Sequence, residues 1–140
     1  MPAVYVAMSP AQQEWGEGVG ISKHLYKLGL AEDDGKSAAE AAVAALNAST
    51  HAGQTDWEMI GWQDLPAESE DALIAKMSER QKMVDPTYYP KIKGARGIFR
   101  VNVRNVEAHH VIKNTMEGKT AKVPKLKPKD IAAYILSAAV

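Results

Sequence analysis

The side chains with chemical potential in this 140-residue chain fall into an acidic group and a basic one. Glu70 precedes Leu73 by three positions and Ile74 by four, so on a helix it shares their apolar stripe, an unusual place for a carboxylate. A dipole-compensating glutamate beside Glu68 and Asp71 is the plainer account of it. Lys91, Lys93, Arg96, Arg100 and Arg104 accompany Tyr88, Tyr89 and Phe99, a mixture suited to neutralising phosphates and stacking bases or a partner's arginines. Such aromatics are more often core, so no base stacking is assigned to them. Lysines at 113, 119, 122, 125, 127 and 129 extend the positive field, and a solvated linker explains them equally well.

Several chemistries are excluded outright. Without cysteine there are no disulfides, thiolate nucleophiles or zinc fingers. No GxxxxGK[ST], GxSxG or HExxH occurs, and Gly16-Glu17-Gly18-Val19-Gly20 lacks dinucleotide-binding spacing. His24 and His51 stand alone, and the adjacent His109 and His110 point about 100° apart on a helix, which makes no two-ligand metal face.

Seventeen basic and seventeen acidic residues cancel, which by itself argues against a nucleic-acid partner. The cancellation hides a division: residues 1–80 hold five basic groups against thirteen acidic ones, and residues 81–140 hold twelve against four. One part carries −8 and the other +8, so an anionic partner is to be sought after residue 80. Apolar runs fall short of the ~20 residues that cross a bilayer, and the amino terminus lacks a secretory pattern, so no membrane association and a cytoplasmic location are expected.

These residues need a scaffold. Val4–Met8 reads as a strand closed by Ser9-Pro10, Ala11–Lys23 as a glycine-bearing loop, and Leu25–Leu30 as a second strand in which Gly29 marks a bulge or a close approach. Ser37 and Glu40 fit a capping box for a helix over Ala38–Leu46, with Ala39, Val43 and Leu46 on one side. After a turn over Asn47–Gln54, Trp57–Trp62 reads as a third strand. Pro66 suits the first turn of a helix over Ala67–Val84, which buries Leu73, Ile74, Met77 and Val84. Ile98–Val103 gives a fourth strand, Val106–Asn114 a helix, and residues 113–129 a basic connection to a terminal helix through Ile131, Tyr134, Ile135 and Ala138. Two opening strands followed by a helix favour antiparallel pairing, hence an α+β fold: a small central sheet flanked by helices. Residues 1–112 form the domain, and 113–140 a basic segment and helix packed on it.

Ala3-Val4-Tyr5 in the first strand, Lys27-Leu28-Gly29 in the second, Leu46-Asn47 closing the helix and Glu70 on the next helix make an ordered constellation. With the Trp57–Trp62 strand and Tyr88–Gly94 leading to Gly97–Val101, it resembles the GIY-YIG endonuclease superfamily, especially its compact phage-associated branch, over about Val4 to Val111. The resemblance implies a divalent metal, Mg2+ or Mn2+, held chiefly by Glu70. It also implies a water that attacks a DNA phosphodiester, Tyr5 as the first motif tyrosine, and Lys27 where the second tyrosine stands. A lysine neutralises a phosphate as a point charge but delivers no phenolic proton. The family's arginine belongs one turn before Leu46, where this sequence has Ala42, and no arginine precedes Arg80. Unless Lys36 or a distant residue substitutes, the extra charge of a pentacoordinate phosphorus has no partner. The resemblance thus implies a metal-dependent phosphodiesterase with DNA as partner. The alternative is a catalytically silent module, such as a phage-encoded effector, that binds nucleic acid or protein; self-association through the opposed charges is a third reading.

Overall fold

Strand β1 (Ala3–Met8) sends Val4 and Val6 to one side and Ala3, Tyr5 and Ala7 to the other, and all five are buried. Burial on both faces is the mark of a central strand, and so it is in this computed structural model, which describes residues 2–21, 24–84, 97–102, 104–108, 112 and 127–138. β2 (Leu25–Leu30) pairs antiparallel with β1 from Val4↔Leu30 to Ala7↔Lys27. β3 (Glu58–Asp64) flanks β1 on its other side, with a register shift between Val6 and Ala7. β4 (Lys82–Met83) and β5 (Ile98–Arg100) complete an antiparallel sheet in the order β3-β1-β2-β5-β4.

Helices cover both faces. α1 (Pro10–Gly18) and α2 (Lys36–Ala48) lie on the Tyr5 face, where Leu25, Ile98, Ala39, Val43, Leu46 and Trp57 form one core cluster. α3 (Glu70–Ser78), a helical stretch α4 at 104–108, and α5 (Pro128–Ala138) cover the other, burying Val4, Val6, Leu28, Phe99, Met77 and Ile135 together. The terminal helix buries Ile131, Tyr134, Ile135 and Ala138 in this core. No helix among the described residues is long and apolar enough to cross a membrane.

The α+β architecture and the antiparallel opening pair agree with the sequence reading; several boundaries do not. The expected loop at Ala11–Lys23 contains α1, because Ser9 caps Gln12 N at 3.0 Å and Pro10 fits the first helical position. Asp56, far along the chain, fastens that end by accepting from the Ser9 hydroxyl and from Ala11 N at 2.9 Å, which outweighs the helix cost of the glycines. Burial alone would raise the Asp56 carboxyl, but these hydrogen bonds prevail and hold it below the usual carboxylate value.

The capping box of Ser37 and Glu40 does not form: α2 starts at Lys36, Gly35 is its cap residue, and no side chain caps it. Nor does Pro66 open the next helix, since Ser69 caps Ala72 N at 3.1 Å and α3 begins at Glu70. It ends at Ser78 instead of Val84. The chain turns there because buried Gln81 donates to Tyr134 Oη at 2.8 Å and accepts from Asn102 N at 2.9 Å, and Lys82-Met83 then joins the sheet. The strand after Ile98 stops at Arg100, short of Val103, because Asn102 is given over to the start of α4 through Arg104 N at 3.0 Å. β3 runs from Glu58 to Asp64 where Trp57–Trp62 was expected. α4 starts before Val106; most of the expected helix to Asn114 and of the basic connection lies outside the described residues.

Candidate active site

Tyr5, Lys27 and Glu70 come from β1, β2 and the first position of α3. Tyr5 faces Gly29 across the β1–β2 pair, and the phenol lies so close over that glycine that a Cβ there would overlap the ring and hydroxyl. Gly29 is thus the close approach that its place inside a strand predicts. Lys27 is 2% exposed, so it is no solvent-facing strand lysine. Its partners across the sheet are Ala7 and Ile98, on the α2 face, whereas Glu70 starts a helix on the opposite face. Gly97, next to Ile98, lets the two meet: a Cβ there would stand 2.8 Å from Lys27 Nζ and 2.7 Å from Leu28 O. Lys27 Nζ lies 3.4 Å from Glu70 Oε1, and Leu30 N donates to the same oxygen at 3.3 Å.

Glu70 does sit in the first turn of α3, where the helix dipole favours a carboxylate. The dipole does not require its bonds to Lys27 and to the end of β2. The side chain remains 43% exposed, and Oε2 has no hydrogen-bond partner among the described residues. Burial first, and the Glu70 carboxylate second, raise the Tyr5 phenol well above its ordinary value near 10. Its hydroxyl makes no hydrogen bond among the described residues, and at neutral pH it is a protonated donor, not a base. Because the folded value is the raised one, the stability linked to Tyr5 is complete below about pH 10 and is lost as pH climbs toward the folded value. Tyr5→Phe is expected to flatten the alkaline fall of the urea midpoint above about pH 10; an unchanged fall would mean that other groups, such as Tyr26, which burial also raises, govern it.

Beside Tyr5 opens a cavity of about 410 Å3, bounded by Glu32 and Asp33 and by Ala38, Ala42 and Ala45 of α2. Among the described residues no basic side chain lines it. Lys36 does not stand in for the arginine that the resemblance expects at Ala42: its side chain is 66% exposed and its ammonium lies 3.9 Å from Glu40.

Of the expected nucleic-acid contacts, Arg100 and Arg104 line a second cavity of about 510 Å3 at the β4–β5 edge, while Lys91, Lys93 and Arg96 lie outside the described residues. Arg80 and Lys82 complete this basic cavity, and sequence reasoning missed them: Arg80 counted with the acidic part, and Lys82 fell in an expected helix. Among the described residues no three His, Cys, Asp or Glu come together as a metal cage. Comparison with protein-family models, with curated proteins and with solved structures gives no match.

Proposed function

We propose that this chain is a GIY-YIG-like DNA-processing protein, a divalent-metal-dependent phosphodiesterase acting at the Tyr5–Lys27–Glu70 site. The observation that carries the reading is the meeting of Lys27 and Glu70 at 3.4 Å beside the buried Tyr5 phenol, from three elements far apart in sequence. Mg2+ is commonly held by one or two carboxylates, with water and substrate phosphate completing its shell. A half-exposed Glu70 with Oε2 unengaged among the described residues fits that mode. When bound, such an ion supplies Lewis acidity and lowers the pKa of coordinated water.

The chain's own residues do the rest. Lys27 and Leu30 N fix one Glu70 oxygen and so orient the other. The protonated Tyr5 hydroxyl donates a hydrogen bond to water or to a phosphate oxygen. Lys27 contributes a fixed positive charge behind Glu70.

A supercoiled-plasmid nicking assay in Mg2+ or Mn2+ tests the reading. Wild type is expected to nick only with metal, and Glu70→Ala to lose roughly 10²-fold or more of the rate. Equal cleavage by the two would refute the assignment. A silent nucleic-acid-binding module is the second reading, favoured by the acid-bordered space at Ala42, which no cation among the described residues lines. It requires salt-dependent DNA binding with no metal-dependent nicking by either protein.

A further inference from the structure

We propose that the cavity at the β4–β5 edge is a phosphate site for the backbone of a DNA strand, a contact apart from the Tyr5–Lys27–Glu70 site; this rests on the reading of that site given above. Arg80, Lys82, Arg100 and Arg104 all line the cavity, and among the described residues no carboxylate lines it and none of the four is in an ion pair. The sheet itself brings two of them together, because Lys82 is the direct cross-strand partner of Arg100. Like charges opposite one another destabilise a strand pair, and nothing within the described fold offsets that cost. An anion seated between them does.

The cavity is also preorganised. Gln81, 5% exposed, sits between Arg80 and Lys82 in sequence and ties β4 both to α5, through Tyr134, and to the backbone of Asn102. Asn102 in turn accepts from Arg104 N at 3.0 Å. The cations therefore project from backbone that is already fixed, which lowers the ordering cost of binding.

Four clustered cations favour a nucleic-acid strand, which presents several phosphates in succession, over an isolated anion. Arg100 pairs with Leu25, two residues before Lys27 and on the same sheet face. Leu25 and Lys27 are 1% and 2% exposed, so a strand held in the cavity runs along the edge of the sheet and not across this face.

The test is fluorescence anisotropy of a labelled DNA duplex between about 50 and 200 mM salt, where each lost phosphate contact lowers the log–log slope by about 0.9. Arg80→Gln/Arg100→Gln is expected to lower the slope by about 1 to 2 and the affinity at least about tenfold. Lys36→Gln/Lys76→Gln removes equal charge from exposed positions outside the cavity and is expected to keep the wild-type slope. Unchanged thermal melting confirms folding; if the arginine pair fails to fold, Lys82→Gln/Arg104→Gln reads the same slope. The proposal is overturned if a folded cavity variant binds like wild type, if both double variants weaken equally, or if wild type ignores DNA and binds a phosphoserine peptide. Nicking measured on the same wild-type sample keeps the two claims apart: a lost slope without nicking leaves the phosphate site standing and removes the enzyme.

Discussion

Gly29→Ala is expected to destabilise the protein by about 3 kcal/mol or more, at the upper end of the range for an over-packed core. The added methyl would overlap the Tyr5 hydroxyl and Cζ and stand 2.7 Å from Cε1. The ring is held by packing on most sides: Tyr5 is 3% exposed and belongs to the cluster with Ala39, Val43 and Ile98, and it can shift only toward the cavity at α2 by giving up those contacts. Strand geometry gives no relief either, since Tyr5 and Gly29 are direct cross-strand partners in the middle of the β1–β2 pair. Urea unfolding should show a lower midpoint with an unchanged slope. The cause is isolated by repeating the substitution in a Tyr5→Leu background, where it should cost less than about 1 kcal/mol, a large coupling for a double-mutant cycle. A similar cost in both backgrounds would mean that the glycine answers to backbone conformation and not to the phenol. Since Tyr5 is a proposed site residue, the folded fraction of Gly29→Ala should also lose nicking, which ties the glycine of the Lys27-Leu28-Gly29 segment to function through packing.

What the sequence discloses and what it hides follow from the range of the forces involved. The short apolar runs around Tyr5 and Lys27, buried on both faces, and the apolar spacing of Ile131, Tyr134 and Ile135 are local signals, and they read directly. α1 escapes because Asp56, more than forty residues away, completes its cap, and composition around three glycines says nothing of that partner. The same holds for β4: a helical pattern through Val84 is cut short by Gln81, whose two bonds reach Tyr134 and Asn102. At the site, Tyr5, Lys27 and Glu70 were marked by a family resemblance and by the odd position of a carboxylate on an apolar stripe. Their meeting depends on Gly97, which no spacing rule connects to Lys27. The −8 and +8 parts located the basic side of the molecule only roughly, because Arg80 belongs by sequence to one and by position to the other.

Ala42→Arg is expected to raise the metal-dependent nicking rate by about 10²-fold, the size of effect seen when one preorganised donor to a developing oxyanion is gained or lost. Ala42 is half-buried on α2 at the wall of the cavity that Tyr5 lines, and its helical neighbours there, Ala38 and Ala45, leave a lane for a long side chain. Arginine is nearly as good a helix former as alanine, so the fold should bear the change. Glu32 and Asp33 border the same space and would attract the guanidinium, which holds it at the cavity but shares its charge. Adding Glu32→Gln should therefore raise the rate further, whereas Ala42→Gln, which fills space without charge, should leave it at the wild-type level. Combining Ala42→Arg with Glu70→Ala should abolish the gain, because a positive charge at the cavity cannot replace the carboxylate. A folded Ala42→Arg protein that nicks no faster than wild type would show that charge at this wall does not limit the reaction. The alanine would then be part of a binding surface that has no transition state to stabilise.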